Sequence, residues 1–241
     1  MARVIKIDNA LKKQFATKVR KNNNGKEIVT YFLIVCEGEQ TEPNYFKSFP
    51  KRVGKFVFDI QLEGGGISTL KVVEKAIELR ENSSQKYDRV WAVFDKDSFK
   101  ANSFNSAIMK AKANGIECAW SNAAFELWYI LHFHNRVTAM DREDYKKALE
   151  AAINSKIKPN KGKFKYLKNS IEMYEILKQF GNQTLAISWA KELDEKNIGE
   201  SFSNFNPCTQ VYKLVLELNG KSDKLNAEII DQINTSHQHT K

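Results

Sequence analysis

From Thr30 onward the chain alternates short apolar runs with amphipathic stretches, a pattern that predicts βαβ units and a mostly parallel sheet. The first run, residues 31–36, reads as a strand, and residues 42–49 read as a helix closed by Pro50. A second strand over 56–62 is rich in β-branched and aromatic side chains and runs into Gly64, Gly65 and Gly66. Next, Leu70, Val73 and Ile77, joined by Val72, Ala76 and Leu79, recur at helical spacing, with Ser68 placed to cap the first turn. Residues 89–94 form a continuous apolar run of the kind buried on both faces of a parallel sheet. A helix over 103–114 leads through Gly115 to a fourth strand, 116–120, and then to a strongly apolar helix, 123–133. Beyond Asn135 helix patterns take over, at 142–153, 166–180, 184–196 and 209–218, with Asp141 capping the first and Gly181 ending the second in a left-handed turn. The expected fold is α/β: a four-stranded, mostly parallel sheet with flanking helices, plus a helical C-terminal portion.

This pattern divides the chain into an arm (1–28), an α/β unit (29–135), a helical portion (136–220) and a polar tail (221–241) expected to fray. Charge is concentrated in the arm. It carries eight basic residues, among them Arg20 and Lys21, against Asp8 and Glu27, so that +6 of the chain's net +9 lies there. Such an excess favours a polyanionic partner and says nothing about fold. With 241 residues, 42% of them hydrophobic, the chain can bury a core without disulfides or a structural metal. Cys36, Cys118 and Cys208 are odd in number and match neither a zinc pattern nor a secreted scaffold, which points to a reducing compartment. The first residues have no apolar core of signal-peptide length, and the longest apolar run is far short of the ~20 residues that span a bilayer. A cytoplasmic location is expected.

In an open parallel sheet the ligand site lies beyond the carboxyl ends of the strands, and acids fall there repeatedly. The first strand ends in Glu37, within Glu37-Gly38-Glu39-Gln40-Thr41-Glu42, and the third ends in Asp95-Lys96-Asp97. The helix after the fourth strand carries Glu126 early. Converging carboxylates raise one another's pKa unless a cation compensates, and hard oxygen donors without a Cys/His set suit Mg²⁺ or Mn²⁺ rather than Zn²⁺. Taken singly, Asp97 and Glu42 read more readily as helix caps and Glu37 as an ordinary loop acid, but all three falling at the one edge where sites occur favours a site.

A glutamate ending the first strand with Asp-x-Asp ending the third resembles the Toprim domain of topoisomerases, primases and overcoming-lysogenization-defect nucleases, a Rossmann-like fold. Three longer stretches, 35–46 (Val-Cys-Glu-Gly-Glu-Gln-Thr-Glu-Pro-Asn-Tyr-Phe), 121–128 (Ser-Asn-Ala-Ala-Phe-Glu-Leu-Trp) and 206–212 (Asn-Pro-Cys-Thr-Gln-Val-Tyr), resemble the RloB-like family, small Toprim proteins of bacterial restriction and phage-defence loci. The likeness runs from about residue 31 to 218, with Ala123 where the pattern has Pro. It implies metal-dependent phosphodiester chemistry on DNA or tRNA. Glu37 would be a metal ligand or general acid/base, Asp95 and Asp97 metal ligands, and Glu126 the holder of a second cation, so that all four are candidate catalytic residues. The resemblance also implies a separate ABC-type ATPase partner; the sequence itself has no GxxxxGK[ST] and supplies no P-loop. A non-catalytic nucleic-acid-binding regulatory subunit remains the alternative. A haloacid-dehalogenase reading of Asp95-Lys96-Asp97-Ser98 is disfavoured, because that family's nucleophile belongs to the first strand.

Other signals are weaker. The glycines at 64–66 before a helix could cradle a phosphate or simply make a tight turn. His132 and His134 make a poor metal signal at a helix end. Trp120, Phe125, Trp128, Tyr129 and Phe133 fit core packing better than base stacking. In the basic stretch 156–168, Lys163, Lys165 and Lys168 are candidates for the lysine that related Toprim nucleases place near the scissile phosphate.

Overall fold

The structure, a computed structural model, describes residues 28–54, 56–96, 101–158, 162–199 and 201–229. Asp97, Arg20 and Lys21, and with them the basic arm apart from Ile28, lie outside the described residues.

The sheet contains β1 (Ile28–Cys36), β2 (Arg52–Val53), β3 (Phe56–Gly64), β4 (Arg89–Asp95), β5 (Glu117–Asn122) and β6 (Cys208–Thr209), in the order β2-β3-β1-β4-β5-β6. All four predicted strands form, and they pair in parallel as β3-β1-β4-β5. The four-stranded expectation is corrected by β2 and β6, which add antiparallel to β3 and β5 and make a mixed six-stranded sheet. Two residues carry no readable period, so neither strand was visible in the pattern.

Along β1 the side chains alternate between two cores. Phe32, Ile34 and Cys36 join one, and Leu33 and Val35 join the other. The second core is closed by α2 (Thr69–Asn82) and α3 (Ala101–Ala113). The first is closed by α1 (Thr41–Lys47), α4 (Glu126–Ile130), α5 (Arg142–Asn154), α6 (Met173–Phe180), α7 (Gln183–Glu195) and α8 (Val211–Leu218). The central β4 is therefore buried on both faces from Val90 to Asp95. Trp120, Phe125, Trp128 and Tyr129 are all core residues. His132 is a core histidine, its Nδ1 2.9 Å from the Trp128 carbonyl and its ring edge-on to the Trp128 indole. Burial raises all three cysteine thiols, Cys118 and Cys208 to about 12.

Several local expectations change. Ser68 and Asp141 occupy N-cap positions with extended backbone, but neither side chain makes a capping bond, whereas Asn182 accepts from the Leu185 amide at 3.1 Å. Gly181 is not left-handed; its φ is −100°. Its glycine is required by crowding, since a Cβ there would lie 2.7 Å from His132 Cβ and 2.8 Å from the Leu177 carbonyl. The helix expected over 166–180 begins only at Met173, and the one expected over 209–218 is divided into β6 and α8. In the stretch expected to fray, residues 223–229 are helical, with Leu225 and Ile229 buried. At the end of the sheet opposite the acids, Arg89 pairs with Glu217 and, at 3.2 Å, with Glu228, tying that last helix to β4. No helix among the described residues is long and apolar enough to cross a membrane.

Candidate functional site

Parallel strands β1 and β4 end side by side, and the chain leaves each of them carrying an acid. Glu37 follows β1 directly, with its amide bonded to the Val93 carbonyl at 2.8 Å. Its Oε2 accepts from the Asp95 amide at 2.9 Å and its Oε1 from Thr69 Oγ1 at 3.4 Å. Asp95, the last residue of β4, is buried, and its Oδ2 accepts from the Phe125 amide and from Arg142 Nη2, both at 3.1 Å. Glu126 opens α4 and is buried, accepting from the Tyr166 hydroxyl at 2.9 Å. Glu42, in the first turn of α1, is buried as well. These four acids line one cavity of about 560 Å³, together with Arg142 and Lys168.

The acids lie close enough for their charges to act on one another. Burial, followed by the charges of Glu126 and Glu37, raises Glu42 to about 7, against the pull of its own backbone N–H and of Arg142. Asp95 is raised by burial and by Glu42 and Glu126, with Arg142 and the Phe125 amide opposing. A cluster of this kind needs positive charge. In donor type Glu37, Glu42, Asp95 and Glu126 are the hard oxygens that suit a divalent cation. In geometry positive charge comes from Arg142, paired with Asp95, and from Lys168 on the same cavity. Among the described residues no three acids, histidines or cysteines stand in a ligating group.

Of the residues expected from sequence, Glu37, Asp95, Glu126 and Lys168 come together, whereas Lys163 and Lys165 are exposed and do not line the cavity. Lys168 is held there by α1: Thr41 Oγ1 donates to its carbonyl at 2.9 Å and Asn44 Nδ2 to that of Asn169 at 3.2 Å. The glycine turn contributes Gly66, which lines the cavity beside Glu39.

Sequence reasoning missed Arg142 and Tyr166 and read Glu42 only as a possible cap. Glu42 had a signal, its place in the same motif as Glu37. Arg142 and Tyr166 had none, because each reaches the cavity only through tertiary packing.

Apart from Phe125 and Glu126, the two other motif stretches hold the scaffold. Ser121 Oγ and Thr209 Oγ1 are 2.8 Å apart across β5 and β6, and Asn122 Nδ2 donates to the Ser203 carbonyl at 3.0 Å. Gln210 and Tyr212 both donate to Asp194 of α7, each at 2.8 Å. The peptide linking Asn122 to Ala123 is cis.

Fold and site together describe a mixed α/β protein with an acid-lined cavity at the carboxyl edge of its parallel strands. The chain belongs to the RloB-like protein family, whose model matches residues 32–218. Comparison with curated proteins and with solved structures finds no match.

Proposed function

We propose that this RloB-like protein is a Toprim-type nuclease that hydrolyses phosphodiester bonds of DNA or RNA with Mg²⁺ or Mn²⁺, in the cytoplasm, as part of anti-phage defence with a separate ABC-type ATPase. The observation that carries the reading is the gathering of Glu37, Glu42, Asp95 and Glu126 on one cavity at the sheet edge where such sites form. These four residues would hold the cation, and Asp97 is the further candidate from sequence. A bound divalent ion supplies the positive charge that lowers the pKa of water and neutralises a phosphoryl oxygen. Glu37, whose carboxylate accepts from the Asp95 amide and the Thr69 hydroxyl, would accept a proton from the attacking water. Lys168 on the cavity wall offers its ammonium to the phosphate.

The test is incubation of the full chain with plasmid, single-stranded DNA and total tRNA, with Mn²⁺, Mg²⁺ or chelator, with and without the ATPase. Cleavage that chelator stops is expected, and Glu37→Gln should lose it while keeping nucleic-acid affinity. A second reading, the regulatory subunit, draws on the Arg142–Asp95 pair, which neutralises one of the acids without any metal. Absence of cleavage on every substrate, with the ATPase and Mn²⁺ present, would decide for it.

A further inference from the structure

Between α5 and α6, residues 162–172 form neither helix nor strand, yet the backbone there is tied down along its length. Asn154 holds both backbone groups of Phe164, and Glu150 accepts the Tyr166 amide. Tyr166 is buried and donates its hydroxyl to Glu126 in the cavity. From α1, Thr41 and Asn44 donate to the carbonyls of Lys168 and Asn169. A turn closed by the Ser170 amide on the Leu167 carbonyl, at 3.0 Å, puts Lys168 at its tip and on the cavity wall.

What this segment shows to solvent is apolar and basic together. Leu167 and Ile171, on the two sides of the turn, are 56% and 72% exposed. Lys163 and Lys165 are exposed as well, and from Gly162 to Ile171 there are three lysines and no acid. Ordering a backbone costs conformational entropy, and burial of these two aliphatic side chains does nothing to offset it. An apolar pair set among charges of one sign fits a partner that carries both an apolar face and the opposite charge.

A nucleic-acid strand carries both, with phosphates along its backbone and a flat face on each base. In a duplex those faces are closed inside the stack, so only an unpaired or flipped-out stretch presents them. The cavity favours the same state. Glu42, Asp95 and Glu126 are buried, so a phosphate meets them by entering a space of about 560 Å³, and a strand free to bend does so more readily than a stiff duplex. We propose that residues 163–171 form a ledge that selects an unpaired nucleic-acid strand. Lys163, Lys165 and Lys168 take its phosphates, and Leu167 and Ile171 pack against bases lifted out of the stack. This rests on the nuclease reading above for the chemistry of the substrate, and adds its unpaired state and the side chains that choose it.

The experiment measures binding apart from cutting, on the full chain. Fluorescence anisotropy in chelator follows labelled oligo(dT), labelled oligo(U) and the duplex of oligo(dT) with oligo(dA). Either single strand bound in preference to the duplex supports the ledge, and the tighter of the two names the sugar. Leu167→Ser combined with Ile171→Ser should weaken single-strand binding by about tenfold, with duplex binding and the salt slope unchanged. Lys163→Gln combined with Lys165→Gln should flatten the slope of log K against log salt by about 1.4, at about 0.7 for each phosphate contact on a single strand. All four side chains are exposed, so these variants leave the buried contacts of the fold in place. Duplex bound as tightly as single strand, no strand bound at all, or single-strand affinity that survives loss of the apolar pair overturns the ledge. A changed mass in solution in that last case assigns the pair to contact with a second copy. Cleavage of the same strands by wild type with Mn²⁺ is scored separately, so the ledge can fail while the nuclease reading stands. Strand binding without cleavage keeps the ledge and passes the site to the regulatory-subunit reading.

Discussion

Glu42 lies against a glycine that leaves room for it. A Cβ at Gly38 would collide with Glu42 Oε2, so the smallest residue in the motif is the one over which the acid folds back. The acid held there is costly when ionised. With its pKa raised from 4.5 to about 7, folded Glu42 keeps a proton that the unfolded chain has released throughout that interval. Stability therefore falls as pH rises from 4.5 to about 7, and the loss is complete above it, at roughly 3 kcal/mol for a shift of this size. Glu42→Gln should match wild type below pH 4.5 and exceed it increasingly toward pH 8 in urea unfolding without metal. A constant difference across that range would remove the repelling-cluster account. Tyr145 makes a companion case. Its buried hydroxyl has no hydrogen-bond partner among the described residues, so Tyr145→Phe should raise metal-free stability by about 1 kcal/mol, read as a shift in urea midpoint.

At the scale of elements, the close approach of α6 to the end of α4 turns on Gly181. Gly181→Ala would press a methyl group against His132 and the Leu177 carbonyl, an overpacking that should cost about 1–3 kcal/mol in equilibrium unfolding. The sequence suggested the right residue for the wrong reason, because helix-terminal glycines often adopt positive φ and a collision between distant segments leaves no local mark. The strands were more legible. β4 is a continuous apolar run because both its faces are covered, and β1 and β3 are long enough for composition to be decisive. Residues 166–172 misled for a physical reason. Their apolar spacing suits a helix, but Asn154 pairs with both backbone groups of Phe164, at 2.7 and 3.0 Å, and Glu150 accepts the Tyr166 amide at 2.9 Å. Those side-chain bonds hold the backbone out of a helix and deliver the Tyr166 hydroxyl to Glu126. The acids at strand ends could be anticipated from topology alone. Their counter-ion could not, since Arg142 meets Asp95 across 47 residues of chain.

For the molecule as a whole, the organising feature is a parallel sheet whose acids emerge at one end while an arginine–glutamate network anchors the C-terminal helix at the other. The acid cluster and the anchorage are thus kept apart, and substitutions at Arg89 should alter unfolding while leaving the cation binding proposed for the cavity unchanged. The two-residue strand β6 has a further consequence. A bare β5 would present unpaired amides and carbonyls along a buried, apolar strand, which is a template for joining another copy. Cys208 and Thr209 occupy that border, and the Gln210 amide extends the seal to the Trp120 carbonyl at 2.8 Å. The 206–212 stretch thus guards the protein against its own kind. A chain ending at Phe205 loses β6, α8 and the Arg89 partner Glu217 together, so it should unfold at lower urea and also expose the edge of β5, giving concentration-dependent light scattering. That short border occupies the part of the β5 edge where a second copy would otherwise add a strand.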